Sequence, residues 1–166
     1  MKSIAKALKE NGVEVIFTYA GGTIAFLLDA LVKEGIQIIT ARHEQGASFM
    51  ASAYSKAGHG IGVCMATSGP GVTNLITGIA DAYYDHTPMV VLTGQVDVKF
   101  LKPTNQRQNG FQQLDTLKLT KPITVYNVGL YNNKFTKYIN IAFNQAIRLN
   151  GPSLIDIPID IQRSYA

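Results

Sequence analysis

Ile61-Gly62-Val63-Cys64-Met65-Ala66-Thr67-Ser68-Gly69-Pro70-Gly71 reads as a strand that runs straight into a helix. Residues 61–66 form a near-continuous apolar run, as expected for a central parallel strand covered on both faces. Beyond the turn, Val72, Leu75, Ile76, Ile79, Ala80 and Tyr83 fall on one stripe at helical spacing. Ser68 or Gly69 can cap this helix, and Pro70 suits its first turn. A buried strand feeding an amphipathic helix through a short glycine-rich turn is the repeating unit of a parallel α/β sheet.

The same unit recurs on both sides. Upstream, residues 2–11 read as a helix with Ile4, Ala5 and Leu8 inward and Gly12 as its stop. A strand from Val13 to Tyr19 follows, and Gly21-Gly22 turns the chain into a helix marked by Ile24, Leu27, Leu28 and Leu31. After Gly35, the run Ile36-Gln37-Ile38-Ile39-Thr40 leads into Ala41-Arg42-His43-Glu44-Gln45-Gly46-Ala47 and a third helix ending near Gly58. Downstream, residues 88–93 are a buried strand ending at Gly94-Gln95. Residues 96–110 form a long polar loop, the kind that often carries function. A short helix is expected from Phe111 to Leu119 and a strand over 123–126. A last helix carries Ile139, Ala142, Phe143 and Ala146, and a final strand covers 153–158. The expectation is one domain over residues 1–166: α/β, three-layer α/β/α, with a doubly wound, mainly parallel sheet of about six strands.

Composition narrows the classes. At 166 residues the chain can bury a good core, and its modest charge marks it as globular. The single cysteine, Cys64, excludes a disulfide framework and a thiolate metal site, and points to a reducing, cytoplasmic setting. The N-terminal residues lack the apolar core of a signal peptide, and no apolar run is long enough to span a membrane. The formal charge is +4, concentrated in residues 97–137 with seven Lys/Arg (Lys99, Lys102, Arg107, Lys118, Lys121, Lys134, Lys137) against Asp97 and Asp115. No nucleic-acid motif accompanies that stretch, so it reads as a solvated face and no nucleic-acid partner is expected.

Three stretches should converge where the strands end: Tyr19 to Gly22, Arg42 to Gln45, and Ser68 to Asn74. Ligands of such sheets bind at the carboxyl ends of strands. The Gly-Pro-Gly turn is not a phosphate cradle, because it lacks both nucleotide-loop spacings and Pro70 has no amide hydrogen to donate. It suits close packing against a flat ligand or a partner surface. Glu44 is the lone carboxylate among these turns. One carboxylate cannot hold a metal and has no second carboxylate for glycosidase-type work, but it can hydrogen-bond a ring nitrogen. A first-turn glutamate also serves the helix dipole. His43 reads as a structural or exposed helix-start residue and Ser68 as a helix cap, since no nucleophile motif surrounds it.

Arg42-His43-Glu44-Gln45-Gly46-Ala47, Ala66-Thr67-Ser68-Gly69-Pro70-Gly71-Val72-Thr73-Asn74, Thr93-Gly94-Gln95-Val96, Phe111-Gln112 and Leu154-Ile155-Asp156-Ile157-Pro158 occur in this order. As an ordered set they resemble the N-terminal pyrimidine-binding domain of thiamine-diphosphate enzymes, closest to the acetolactate synthase large subunit. The resemblance covers nearly the whole chain and implies the thiamine-diphosphate-binding fold. It implies that Glu44 hydrogen-bonds N1′ of the cofactor's aminopyrimidine and so promotes loss of the thiazolium C2 proton, which prepares attack on a 2-keto acid such as pyruvate. A charge-assisted hydrogen bond of this kind contributes roughly 1.5–3 kcal/mol. By the same resemblance, Pro70 and Asn74 flank the pyrimidine, Tyr19, Gly21 and Gly22 line the site, and Gln112 faces the substrate side.

The resemblance further implies a transferase or lyase of branched-chain amino acid biosynthesis. It implies a homodimer with the small residues Gly46, Ala47, Gly78 and Ala80 of the third and fourth helices at its contact. The diphosphate, Mg2+ and, as an open alternative, FAD would be held by domains or a subunit outside these residues. No Gly-Asp-Gly, which carries Mg2+ and diphosphate in the family, occurs in this sequence. The expectation is therefore half an active site, inactive alone. Three departures bear on substrate: the family's Tyr-Pro-Gly-Gly-Ala reads Tyr19-Ala20-Gly21-Gly22-Thr23, Phe-Gln-Glu reads Phe111-Gln112-Gln113, and the loop after Val96 is longer. Two alternatives stay open: the pyrimidine-binding subunit of a split keto-acid decarboxylase, and a non-catalytic interaction module of the same fold.

Overall fold

The computed structural model describes residues 3–101 and 106–166. Seven helices and six strands are assigned among them. The strands are β1 (Val15–Thr18), β2 (Gln37–Thr40), β3 (Gly62–Ala66), β4 (Met89–Gln95), β5 (Tyr126–Gly129) and β6 (Pro152–Pro158). The helices are α1 (Ile4–Glu10), α2 (Ala25–Lys33), α3 (Glu44–Lys56), α4 (Pro70–Tyr84), α5 (Thr116–Thr120), α6 (Phe135–Leu149) and α7 (Ile159–Tyr165). The strands form one sheet in the order β2-β1-β3-β4-β6-β5, with every neighbouring pair parallel.

The apolar run that decides the fold behaves as its composition dictates. All five residues of β3 are buried. Val63 and Met65 pack on one face with Ile4, Leu8, Leu27, Leu31, Ile139 and Phe143, drawn from α1, α2 and α6. Cys64 and Ala66 point to the other face, among Ala47 and Ala51 of α3 and Leu75 and Ile79 of α4. Alternation of side chains along a strand thus feeds two cores at once. Cys64 lies wholly within the second core, where burial pushes its thiol up to about 12, so it is inert rather than nucleophilic.

Contact between β3 and α3 is unusually close. A Cβ at Gly62 would lie 1.8 Å from the Ala51 carbonyl oxygen. Ser55 clamps the same junction: its Oγ accepts from the Gly62 amide at 2.6 Å and donates to the Pro88 carbonyl at 2.6 Å. α3 and α4 are pressed together as tightly, since a Cβ at Gly78 would fall 2.0 Å from Ser48 Oγ. Gly78 and the fully buried Ala47 are therefore spent on contacts inside the domain and are not free for a dimer contact.

Three local expectations need correction, and one helix has no counterpart in the sequence reading. The helix expected from Phe111 begins only at Thr116, because Gln112 adopts φ +60° and the Gln113 carboxamide oxygen accepts from the Asn109 and Gly110 amides, closing a turn instead. The strand expected over 123–126 runs from Tyr126 to Gly129; Pro122 sits in a 3-10 turn over Lys121–Ile123 that delays pairing. α7 was not anticipated; it follows β6 directly, and Gln162 ties it down by donating to the carbonyls of Ile157 and Thr23. Gly69, with φ +61°, is the N-cap of α4 and makes no side-chain cap bond, whereas the Ser68 hydroxyl is buried without a partner. Part of the long polar loop, residues 102–105 with Lys102, lies outside the described residues.

Candidate active site

The chain leaves β1 toward β2 on one side and returns to β3 on the other, which puts a topological switch point between β1 and β3. The turns after these strands meet there. Gly21 has no room for a side chain, since a Cβ would lie 2.4 Å from Thr67 Cβ. Thr23 stitches the turns together: its amide donates to Thr67 Oγ1 at 3.2 Å, the two hydroxyls lie 2.8 Å apart, and the Ser68 amide donates to Thr23 Oγ1 at 2.9 Å.

Glu44 is the first residue of α3 and is 7 % exposed. His43, itself exposed, caps the helix: its Nδ1 accepts from the Gln45 amide at 3.2 Å. The orphan amides of the first turn and the helix dipole favour a carboxylate at this end. Asn74, one turn into α4, donates through Nδ2 to Glu44 Oε2 at 3.0 Å. Oε1 has no hydrogen-bond partner among the described residues. It faces Gly71, where a Cβ would stand 3.6 Å from it. The result is a half-fastened carboxylate: one oxygen anchored across two helices, the other beside bare backbone.

The remaining predicted residues gather around the same turn. Pro70 opens α4 and is exposed, while Asn74 is half-buried. Tyr19 is 45 % exposed, and Gly22 faces open space. Gln112 rests on Gly69 backbone to backbone, because a Cβ at Gly69 would lie 2.7 Å from the Gln112 carbonyl oxygen and 2.9 Å from its Cβ. The 67–71 turn is thus the hub: Gly21 and Thr23 meet Thr67, Gln112 meets Gly69, and Glu44 meets Gly71. Among the described residues no hydrogen bond joins Tyr19 or Gln112 to Glu44.

Two features escaped the sequence reading. The first is the Thr23–Thr67 pair, whose only trace in the sequence is Thr23 standing where the resembled family has Ala. The second is Asp156, a lone charge in the apolar run of β6, which is a visible signal in itself. Asp156 is 2 % exposed and accepts from Thr93 Oγ1 at 2.6 Å and from Gln95 Nε2 at 3.0 Å. Burial pushes its carboxyl up to about 7, against the pull of hydrogen bonds from Thr93, Gln95 and Thr116. Among the described residues there is no group of three His, Cys, Asp or Glu that could hold a metal ion, and no helix is long and apolar enough to cross a membrane.

Comparison with known proteins agrees with this geometry. Residues 1–119 match the family described as "Thiamine pyrophosphate enzyme, N-terminal TPP binding domain". The chain is 45% identical over 164 residues to the acetolactate synthase large subunit of Lactococcus lactis, an alignment covering 95% of this chain and 27% of that protein. It is 41% identical over 161 residues to the acetolactate synthase isozyme 2 large subunit of Escherichia coli, covering 96% and 28%. It is 40% identical over 166 residues to a probable acetolactate synthase large subunit of Methanocaldococcus jannaschii, covering 97% and 27%. The chain therefore spans about a quarter of the length of these relatives. With a six-stranded parallel sheet, helices on both of its faces and the strand-end turns converging on Glu44, the chain belongs to the N-terminal TPP-binding domain family of thiamine pyrophosphate enzymes.

Proposed function

We propose that this chain is the pyrimidine-binding half of a thiamine-diphosphate-dependent enzyme of the acetolactate synthase type, acting on a 2-keto acid such as pyruvate. The observation that carries this reading is the half-fastened carboxylate: Oε2 of Glu44 held by Asn74, Oε1 unpartnered beside Gly71. That arrangement fits the edge of an aminopyrimidine, which needs one acceptor in a fixed place and a flat surface beside it. When bound, thiamine diphosphate supplies the carbanion-stabilising chemistry. The residues of this chain supply its setting. Glu44 holds a proton at the pyrimidine edge. Asn74 fixes the carboxylate rotamer and, with Pro70, flanks the ring. Tyr19, Gly21 and Gly22 line the approach, and Gln112 stands on the substrate side over Gly69.

Such a half-site needs a partner. The diphosphate, Mg2+ and, if the complete enzyme uses one, FAD belong, on this reading, to domains or a subunit outside these residues, and a second copy of the chain completes a homodimer. Exposed apolar side chains support a covered face: Phe49 and Met50 on α3 are 40 % and 42 % exposed and Phe111 is 82 % exposed.

Reconstitution tests the reading. The chain is mixed with a separately expressed family C-terminal portion, thiamine diphosphate, Mg2+ and pyruvate, and acetolactate formation is followed. Turnover in the mixture, with none from either part alone, is the expected result. Turnover by this chain alone would contradict the half-site. Turnover of sulfopyruvate or phosphonopyruvate but not pyruvate would move the assignment to a split keto-acid decarboxylase. A complex that forms and turns over none of them would leave an interaction module of the same fold.

A further inference from the structure

The chain leaves β4 for the edge strand β5 and returns through β6, which pairs with β4 in register up to Gln95↔Pro158, at the strand ends where the segment connecting β4 to β5 departs. Asp156 and Gln95 stand at this point, beside a pocket of about 340 Å3 whose lining includes Gln113, Thr116 and Tyr131. Asp115 and Tyr131 are the titratable groups that face Asp156.

The Gln95 carboxamide is fully used. Its oxygen accepts from the Val96 amide at 3.0 Å, which settles which way the group points. Its nitrogen donates to Asp156 Oδ2 at 3.0 Å and to the Leu114 carbonyl at 2.8 Å, with Thr116 Oγ1 at 3.5 Å. Asp156 in turn is held by Thr93 through Oδ1. Leu114 lies two residues beyond Gln112. The turn between them is closed by Gln113, whose amide donates to the Gly110 carbonyl at 3.0 Å and whose side-chain oxygen accepts from the Asn109 and Gly110 amides. The turn is thus tied to the sheet at Leu114 by Gln95 and rests on Gly69, which places Gln112 against the head of α4.

We propose that Asp156 is a positioning residue: by orienting Gln95 it pins the segment 109–116 through the Leu114 carbonyl and so seats Gln112 on Gly69 at the head of α4. The inference rests on the reading that Gln112 faces the substrate side. Asp156 acts on the segment chiefly through Gln95, and Thr116, at the end of that segment, hydrogen-bonds it as well. A neutral acid at this place still offers a carbonyl oxygen to Gln95 while its hydroxyl donates to Thr93. An asparagine can do the same with its oxygen and its amide. An alanine can do neither.

Hydrogen exchange of the chain, read segment by segment, and the keto-acid KM of the assembled enzyme test this with Asp156→Ala, Asp156→Asn and Gln95→Met. Loss of a net hydrogen bond to a backbone carbonyl should lower protection over 110–116 about tenfold in Asp156→Ala and Gln95→Met. Protection of α4 and β3 should stay unchanged, and KM should rise more than kcat falls. Asp156→Asn should restore protection and KM to near the parent values. If Asp156→Ala does not fold, Gln95→Met carries the test. Unchanged protection of 110–116 in Gln95→Met, or loosening spread evenly over the sheet, would overturn the proposal. Gln112→Ala separates the two ideas. If it leaves KM alone while Gln95→Met frees the segment, the role of Gln112 fails and the positioning by Asp156 stands. If it raises KM while the segment stays protected in Gln95→Met, the positioning fails and Gln112 keeps its role.

Discussion

Glu44→Gln should lower turnover by the assembled enzyme by roughly 10²–10⁴-fold, the range typical of removing a positioned acid–base group. The amide is nearly isosteric, and its oxygen can keep the bond from Asn74 that now reaches Oε2. What it cannot do is share a proton as an anion through Oε1, the oxygen left unpartnered beside Gly71. Stability should barely change. The substitution gives up the favourable interaction of a carboxylate with the start of α3, about 0.3–1 kcal/mol, and gains by no longer keeping a charge out of water. Activity and unfolding midpoint measured on the same preparations check both halves. A melting change much beyond about 1 kcal/mol would mean that Glu44 is first of all a structural residue.

Gly62→Ala should have the largest effect on stability. The added methyl would stand 1.8 Å from the carbonyl oxygen of Ala51 and 2.6 Å from its carbonyl carbon, both backbone atoms in the middle of α3. No rotamer change relieves such a clash. The helix must move away from β3, breaking the Ser55 clamp on the Gly62 amide and the Pro88 carbonyl. Overpacking that forces a backbone shift costs on the order of 3 kcal/mol, at the upper end of its usual range. Because α3 begins at Glu44, the shift should also loosen the Asn74 contact. Gly22→Ala is the control, since nothing lies within 4 Å of the added carbon. Urea unfolding should show a large fall in midpoint for the first and almost none for the second. Equal midpoints would contradict the close approach of α3 to β3.

Much of this architecture was legible because the apolar pattern is strong where burial is complete. β3, β4 and β6 are buried along their whole length; β3 reads as a near-continuous apolar run, and β4 and β6 are mainly apolar, interrupted by Thr93, Gln95, Ser153 and Asp156. The convergence of the strand-end turns followed from parallel topology alone, and the structure joins all three through the 67–71 turn. The misreadings fall where local chemistry outvotes pattern. Phe111 to Leu119 has helical composition, yet the left-handed Gln112 and the Gln113 side chain close a turn that delays the helix to Thr116. The β-branched run at 123–125 suggested a strand, but Pro122 holds its start in a 3-10 turn. Ser68 has the composition of a cap, yet Gly69 supplies the positive φ the turn needs. Roles that depend on tertiary contact, such as Thr23 bonding Thr67 or Asp156 orienting Gln95, leave only a residue out of keeping with its neighbours as a sign in the sequence.

Exchange of the thiamine diphosphate C2 proton for deuterium in the assembled complex, with no keto acid present, reads the central assignment without passing through substrate binding. The account predicts fast exchange with the parent chain, and exchange no faster than that of free cofactor with Glu44→Gln, provided the cofactor is bound in both. Exchange that is equally fast with the two chains would contradict the assignment of Glu44 to the pyrimidine.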